Sequence, residues 1–188
     1  MKGSLFDLLY NPRGLYNISK EFFLVGITSA ENHFQKEEIA RGTDINTIKL
    51  TAVPATNLSF SLELSLKGIH LLKFQSIPKT HSLLKLFTTL PKDVQLSIQQ
   101  NPHKAAYANY FIVGMSEEAN RQFNKKISFE TGDMNEVLNN LELQDQAFIT
   151  FRYLFEIGLE QKLTWLNYKF MANMAHSTLE ILGELIKQ

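Results

Sequence analysis

The sequence contains no cysteine, which excludes disulfides, thiolate nucleophiles and zinc–thiolate centres. It also lacks a glycine-rich phosphate loop, a nucleophile-elbow pattern and an acidic cluster at metal-ligand spacing. The five histidines are scattered, and no two of them are three or four residues apart, so we expect no histidine metal site. These absences predict a protein without a metal, a cofactor or a covalent catalytic nucleophile.

Long apolar runs are missing as well. No stretch approaches the roughly 18 to 20 apolar residues that span a bilayer. The apolar run near the N-terminus is interrupted by Asp7 and ends at Asn11 to Gly14, without a small-residue cleavage site. We therefore expect a cytoplasmic protein that has neither a signal peptide nor a contact with the membrane.

The composition is that of an ordinary globular protein, with 44% hydrophobic and 20% charged residues in 188. A chain of this length buries enough apolar surface to fold without disulfides or metals. No internal repeat, low-complexity tract or linker is visible. The sequence therefore predicts one domain over residues 1–188.

Charge of one sign is not in excess, because 19 basic and 19 acidic side chains cancel. The charges are nevertheless unevenly spread: between Leu64 and Ser116 the only acid is Asp93, whereas six lysines lie there. Either these lysines pair with acidic regions across the fold or across a dimer, or they form a local patch that contacts phosphates. Both interpretations stay open at this point.

Apolar residues recur at three- and four-residue spacing through most of the chain, which predicts an all-α bundle of about five to seven helices. Thr47 to Val53 is rich in β-branched residues and therefore ambiguous, while Pro54 suits the first turn of a helix. We expect a further helical excursion over 104–133. The predicted helices cover about 19–40, 58–74, 83–90, 92–100, 134–158 and 162–187.

The helix over 58–74 is apolar on two sides, as expected of a central helix. At 100° per residue, Glu63, Lys67 and His70 share one sector of it. These residues form either an exposed ion pair or a partly buried polar cluster. The pattern on its own does not choose between the two.

Three segments resemble the HEPN family: VPATNLSFSLELSLK at 53–67, IPKTHSLLKLF at 77–87 and QAFITFRYLFE at 146–156. The resemblance implies a HEPN-like helical bundle, often dimeric, of a kind found in bacterial toxin–antitoxin and phage-defence systems. Active members of the family cut RNA without a metal. We accordingly expect a homodimer formed through an apolar helical face. The aromatic and methionine stripe of the last helix is interpreted as core or dimer interface.

The family's ribonuclease motif is an arginine followed one to two helical turns later by a histidine. Arg152 matches the arginine, but Ile157, Gly158 and Leu159 stand where the histidine would fall. Loss of such a general acid/base typically lowers the rate by about 10² to 10⁴. The resemblance therefore favours a non-catalytic module.

The candidate residues form a ligand site or a polar cluster. Arg152 is either an ion-pair partner of Glu156 or Glu63, or a phosphate-binding residue. Thr80 or His81 is predicted to stand at a helix start, in a solvated or capping position. The complete set is Glu63, Lys67, His70, Lys79, His81, Arg152, Tyr153 and Glu156.

Two function hypotheses follow from these residues. The first is a non-catalytic HEPN-like module that binds a protein partner or a nucleotide or RNA. The alternative is a metal-independent ribonuclease in which Arg152 works with a histidine from outside the usual motif, either His81 or His70.

Overall fold

The computed structural model describes residues 11–34, 45–101, 133–145 and 168–188. Within these ranges it is all-α, with six helices and no strand, which confirms the predicted fold class. The helices are α1 (Pro12–Phe34), α2 (Ile45–Phe74), α3 (Leu83–Thr88), α4 (Lys92–Gln100), α5 (Met134–Leu143) and α6 (Tyr168–Lys187).

Helix α1 begins seven residues earlier than the apolar periodicity predicts. The Asn11 side chain accepts a hydrogen bond from the backbone N–H of Arg13, with Asn11 Oδ1 2.9 Å from the nitrogen. Pro12 occupies the first turn, where its missing N–H has no helical partner to lose. The Asn-Pro pair is thus a helix start, although it resembles a turn when the apolar pattern alone is considered.

Helix α2 continues through Pro54, which lies inside the helix and not in its first turn as predicted. A proline there removes one backbone hydrogen bond and costs about 3 kcal/mol. The helix tolerates it because the following turns are held by burial: Ala55, Leu58 and Leu62 are all fully buried. Packing of the later turns therefore outweighs the local penalty.

Helices α1 and α2 pack as an antiparallel pair through small side chains. Ser19 Oγ donates to the carbonyl oxygen of Ser61 at 2.7 Å, and Ser61 Oγ donates to that of Ser19 at 2.9 Å. Further along the pair, a Cβ added at Gly26 would lie 2.9 Å from Leu58 Cγ. The two backbones therefore approach closely, and larger side chains are excluded at these points.

One apolar core joins all six helices. Helix α2 is central, since α1, α3 and α6 all pack on it, while α4 and α5 contact α6 and α3 respectively. The expected stripe of Leu58, Leu62, Leu66 and Ile69 is fully buried. The second expected stripe is only partly buried and ends in Phe74, which is 48% exposed. The larger fully buried side chains of the core also include Leu83, Leu86, Phe87, Leu141, Met171 and Leu182.

The shorter helices refine the predicted bounds. Helix α4 spans Lys92–Gln100 as expected. Helix α5 ends at Leu143 with a turn at residues 144–145, whereas the periodicity predicts one helix from 134 to 158. The rest of that predicted helix, the excursion over 104–132 and the start of the last helix lie outside the described residues. No helix in the described ranges has the length and apolarity that crossing a membrane requires.

The contact at Gly26 generates a stability prediction. We expect Gly26→Ala to lower the free energy of unfolding by about 1 to 2 kcal/mol, because overpacking against Leu58 exceeds the helix-propensity gain. Gly183→Ala is the matched control, since its Cβ would meet only the outer end of the half-buried Tyr16 side chain, with Cε2 at 3.0 Å, whereas at Gly26 the backbone nitrogen of Leu58 is also close, at 3.3 Å. Urea unfolding of both variants measures the difference. Equal or greater stability of Gly26→Ala would contradict the close packing described here.

Candidate functional site

The candidate site centres on Glu63, a carboxylate only 1% exposed on the central helix. Lys67, one turn later, donates from Nζ to Glu63 Oε1 at 2.7 Å, and its side chain is 14% exposed. A buried carboxylate requires such partners, because its desolvation is otherwise costly. Of the two arrangements compatible with the sequence, the structure has the partly buried cluster.

His81 is the second partner of Glu63. Its Nδ1 lies 3.0 Å from Oε1 and 3.1 Å from Oε2 of Glu63, and since a carboxylate only accepts, Nδ1 is the donor. The His81 side chain is 55% exposed. Glu63 therefore fixes the orientation of an imidazole that reaches the protein surface.

The sequence predicts Thr80 or His81 at the start of α3, but the residue that caps this helix is Ser82. Ser82 Oγ accepts a hydrogen bond from the N–H of Lys85 at 3.0 Å. The short serine side chain suits this bond, whereas the imidazole of His81 is directed to Glu63. Thr80 supports the turn by accepting from the N–H of Ser82 at 3.1 Å.

Asp145, just after α5, holds the start of α3 from the other side. Its Oδ1 accepts from Ser82 Oγ at 2.8 Å and from the N–H of Leu84 at 2.7 Å. The chain turns at residues 144–145, directly after α5, and Asp145 reaches the start of α3 from this turn. Two carboxylates, Glu63 and Asp145, thus position the loop that carries His81 and the helix that follows it.

His70 lies in the same sector of α2 and is 3% exposed. Its Nε2 donates to the carbonyl oxygen of Leu86 at 2.8 Å, which ties α2 to the end of α3. Along α2, Glu63 contacts His81, and His70, about two turns later, contacts Leu86. The two chains of contacts advance in the same direction, so α3 runs parallel to α2. His70 acts as a structural link between helices, and its burial removes it as a surface acid or base.

The segment that carries this cluster is rich in basic side chains, and we call Lys67, Lys73, Lys79, His81 and Lys85 the basic surface. Lys73, Lys79 and Lys85 are exposed. In residues 64–101 the only acid is Asp93, and the two carboxylates that contact this region, Glu63 and Asp145, are engaged by Lys67 and His81 and by Ser82 and Leu84 respectively, so the four lysines outnumber them. The local charge is therefore positive although the whole chain is neutral, which suits an anionic ligand.

An open cleft at the start of α1 and the end of α6 is lined by charged side chains of both signs. Arg13 and Lys187 line it together with Glu180 and Glu184. Asn101 donates from Nδ2 to Glu180 Oε2 at 2.9 Å. Two cations and two carboxylates give this cleft no net preference for an anion, so the basic surface is the better candidate.

Three of the predicted site residues, Arg152, Tyr153 and Glu156, lie outside the described residues. The structure brings together Glu63, Lys67 and His81, with Lys79 two residues from His81. Sequence reasoning missed Ser82 and Asp145. A serine followed three residues later by a helical N–H is a recognisable cap signal, but nothing local connects Ser82 with Asp145, 63 residues away.

Within the described part of the chain, no group of three histidine or acidic side chains is placed to hold a metal ion. Comparison of the sequence with protein-family models and with curated proteins, and of the fold with solved structures, found no match. The HEPN resemblance accordingly stays a prediction that depends on the three segments that suggested it.

The buried cluster predicts an asymmetric response to mutation. We expect Lys67→Met to lower the free energy of unfolding by about 3 kcal/mol, because it leaves the Glu63 carboxylate buried without its ammonium partner. Lys85→Met, at an exposed position of the same surface, should stay within about 0.5 kcal/mol of wild type. Urea unfolding measures both. Adding Glu63→Gln to Lys67→Met should recover part of the loss, and no recovery would contradict a buried charge as its cause.

Proposed function

We propose that this chain is a non-catalytic, HEPN-like module that binds RNA through the basic surface. The observation that carries the proposal is the Glu63 cluster, which holds His81 and the lysine-bearing loop against α2. Neutralisation of phosphates by lysines supplies most of the affinity of such surfaces. A role in a toxin–antitoxin or phage-defence system belongs to the same proposal, and it depends on the family resemblance.

Phosphate recognition is favoured over a protein partner by the character of the exposed side chains. Lysine is depleted from the cores of protein–protein interfaces, whereas it is an ordinary phosphate contact. Lys79 and Lys85 flank His81 along the chain, and all three side chains are exposed. A ligand that follows this surface meets several cations within a few residues of one another.

A second candidate is a metal-independent ribonuclease, and the contact between Glu63 and His81 favours it. A buried carboxylate that accepts from one imidazole nitrogen orients the other nitrogen, Nε2, as a general base. His81 Nε2 would take the proton of a ribose 2′-hydroxyl, whose oxygen would attack the adjacent phosphorus. The 5′-oxygen of the next nucleotide would leave and take a proton from water, which balances the step.

The RNA-binding proposal predicts a salt-dependent affinity that the basic surface controls. The double variant Lys79→Ala/Lys85→Ala should weaken RNA binding and reduce the slope of log K against log salt by about 1 to 2, since each phosphate contact contributes about 0.7 to 0.9. Lys20→Ala/Lys187→Ala is the control, because it removes the same charge from exposed positions on α1 and α6. Fluorescence anisotropy of a labelled RNA measures both.

Equal losses in the two double variants would contradict a specific surface, and no RNA binding at low salt would overturn the proposal. The same RNA, incubated with wild-type protein and a chelator and analysed on a gel, tests for cleavage. Cleavage that is abolished by His81→Ala would replace the non-catalytic proposal with the ribonuclease. An intact RNA supports the binding module.

We also propose that the expected homodimer forms through the outer side of the α1–α2 pair. Phe22 and Phe60 contact edge to face there, with ring centroids 4.6 Å apart. Val25, one turn after Phe22, is 50% exposed, and Val53, two turns before Phe60, is 46% exposed. A second copy that packs its own valines on this side would bury apolar surface in an isologous contact.

The dimer proposal predicts that Val25→Asp produces a monomer, because an aspartate would be buried without a partner in the interface. Leu24→Asp is the matched control: Leu24 is 47% exposed but points about 100° away on the same helix. Sedimentation velocity at micromolar concentration distinguishes them. A monomeric wild type, or dissociation by both variants alike, would contradict the assignment of this side.

A further inference from the structure

The polar sector of α2 ends in an exposed aromatic ring. Glu63, Lys67, His70 and Phe74 follow one another at spacings of four, three and four residues, so they lie within about 60° of the helix circumference. Phe74 is therefore on the same side of α2 as Lys67. With a rise of 1.5 Å per residue, its Cα lies about 10 Å further along the helix.

The Phe74 ring packs against a neighbouring ring on the same helix. The ring of His70 lies 5.3 Å from it, centroid to centroid, at an interplanar angle of 37°. His70 is itself fixed by its hydrogen bond to the carbonyl oxygen of Leu86. Phe74 nevertheless stays 48% exposed, so a supported aromatic ring is presented to solvent.

An isolated exposed hydrophobic residue is normal and by itself indicates nothing. Phe74 differs from the other exposed large apolar residues of the described ranges because it alone is aromatic. It also directly follows Lys73 and belongs to the lysine-rich segment 64–101. An aromatic platform beside lysines is the arrangement with which proteins hold single-stranded nucleic acid: lysines contact phosphates and the ring stacks on a base.

We propose that the RNA bound by the basic surface is single-stranded and that one of its bases stacks on Phe74. This inference depends on the proposed RNA binding and specifies its substrate class. A base in a duplex is stacked on its neighbours and is not available to the ring, so the site should discriminate against double-stranded RNA. The lysines contribute the dependence on salt, whereas stacking contributes affinity that salt changes little.

The test compares a short, unstructured single strand with a duplex of the same sequence by fluorescence anisotropy. Wild type should bind the single strand more tightly. Phe74→Ala should weaken that binding about tenfold or more while leaving the salt slope unchanged, and Phe74→Trp should retain it. Leu24→Ala, at a comparably exposed apolar position on α1, should change nothing. Quenching of Phe74→Trp on addition of RNA, beyond the quenching of the native Trp165 in wild type, would report the stacking.

The possible failures are separable. If single strand and duplex bind equally and Phe74→Ala binds like wild type, the stacking inference is wrong although the RNA-binding proposal stands. If Phe74→Ala reduces the salt slope as Lys79→Ala/Lys85→Ala does, its effect comes from a disturbed surface and the inference is also wrong. If neither RNA binds to wild type, both proposals are wrong.

Discussion

The architecture around the candidate site depends on one buried negative charge. Glu63 lies on the central helix at 1% exposure, and a carboxylate in that position is stable only if charged or hydrogen-bonding partners surround it. One partner, the ammonium group of Lys67, comes from the next turn of the helix, and the other, the Nδ1–H group of His81, comes from a loop 18 residues later. The Glu63 carboxylate therefore holds the loop against the helix, and this contact fixes the direction in which the short helix α3 begins.

Much of the fold could be predicted because local patterns carry it. Leu58, Leu62, Leu66 and Ile69 repeat at helical spacing and are buried, and Lys92–Gln100 forms the helix that its flanking prolines indicate. Errors arise where tertiary packing overrides a local rule, as at Pro54, which the burial of the following turns keeps inside α2. They also arise at helix ends, where one capping side chain decides at which residue the helix begins.

The site was predictable to the extent that its contacts are local. Glu63 and Lys67 are four residues apart on one helix, so their pairing is visible in the sequence. The contact between Glu63 and His81 spans a loop, and that between Ser82 and Asp145 spans 63 residues, so both depend on how helices pack. Periodicity identifies which residues share a face, but it does not identify the neighbour across from that face.

The reciprocal bonds between Ser19 and Ser61 have a consequence for the order of assembly. They join helices that are adjacent in the chain, and contacts between neighbouring elements close shorter loops and form sooner than distant ones. During synthesis the α1–α2 hairpin emerges whole before Asp145 has been translated, since translation proceeds from the N-terminus. The nascent chain thus completes its scaffold first, and the start of α3 receives its last hydrogen bonds only after the 63 residues from Ser82 to Asp145 have followed.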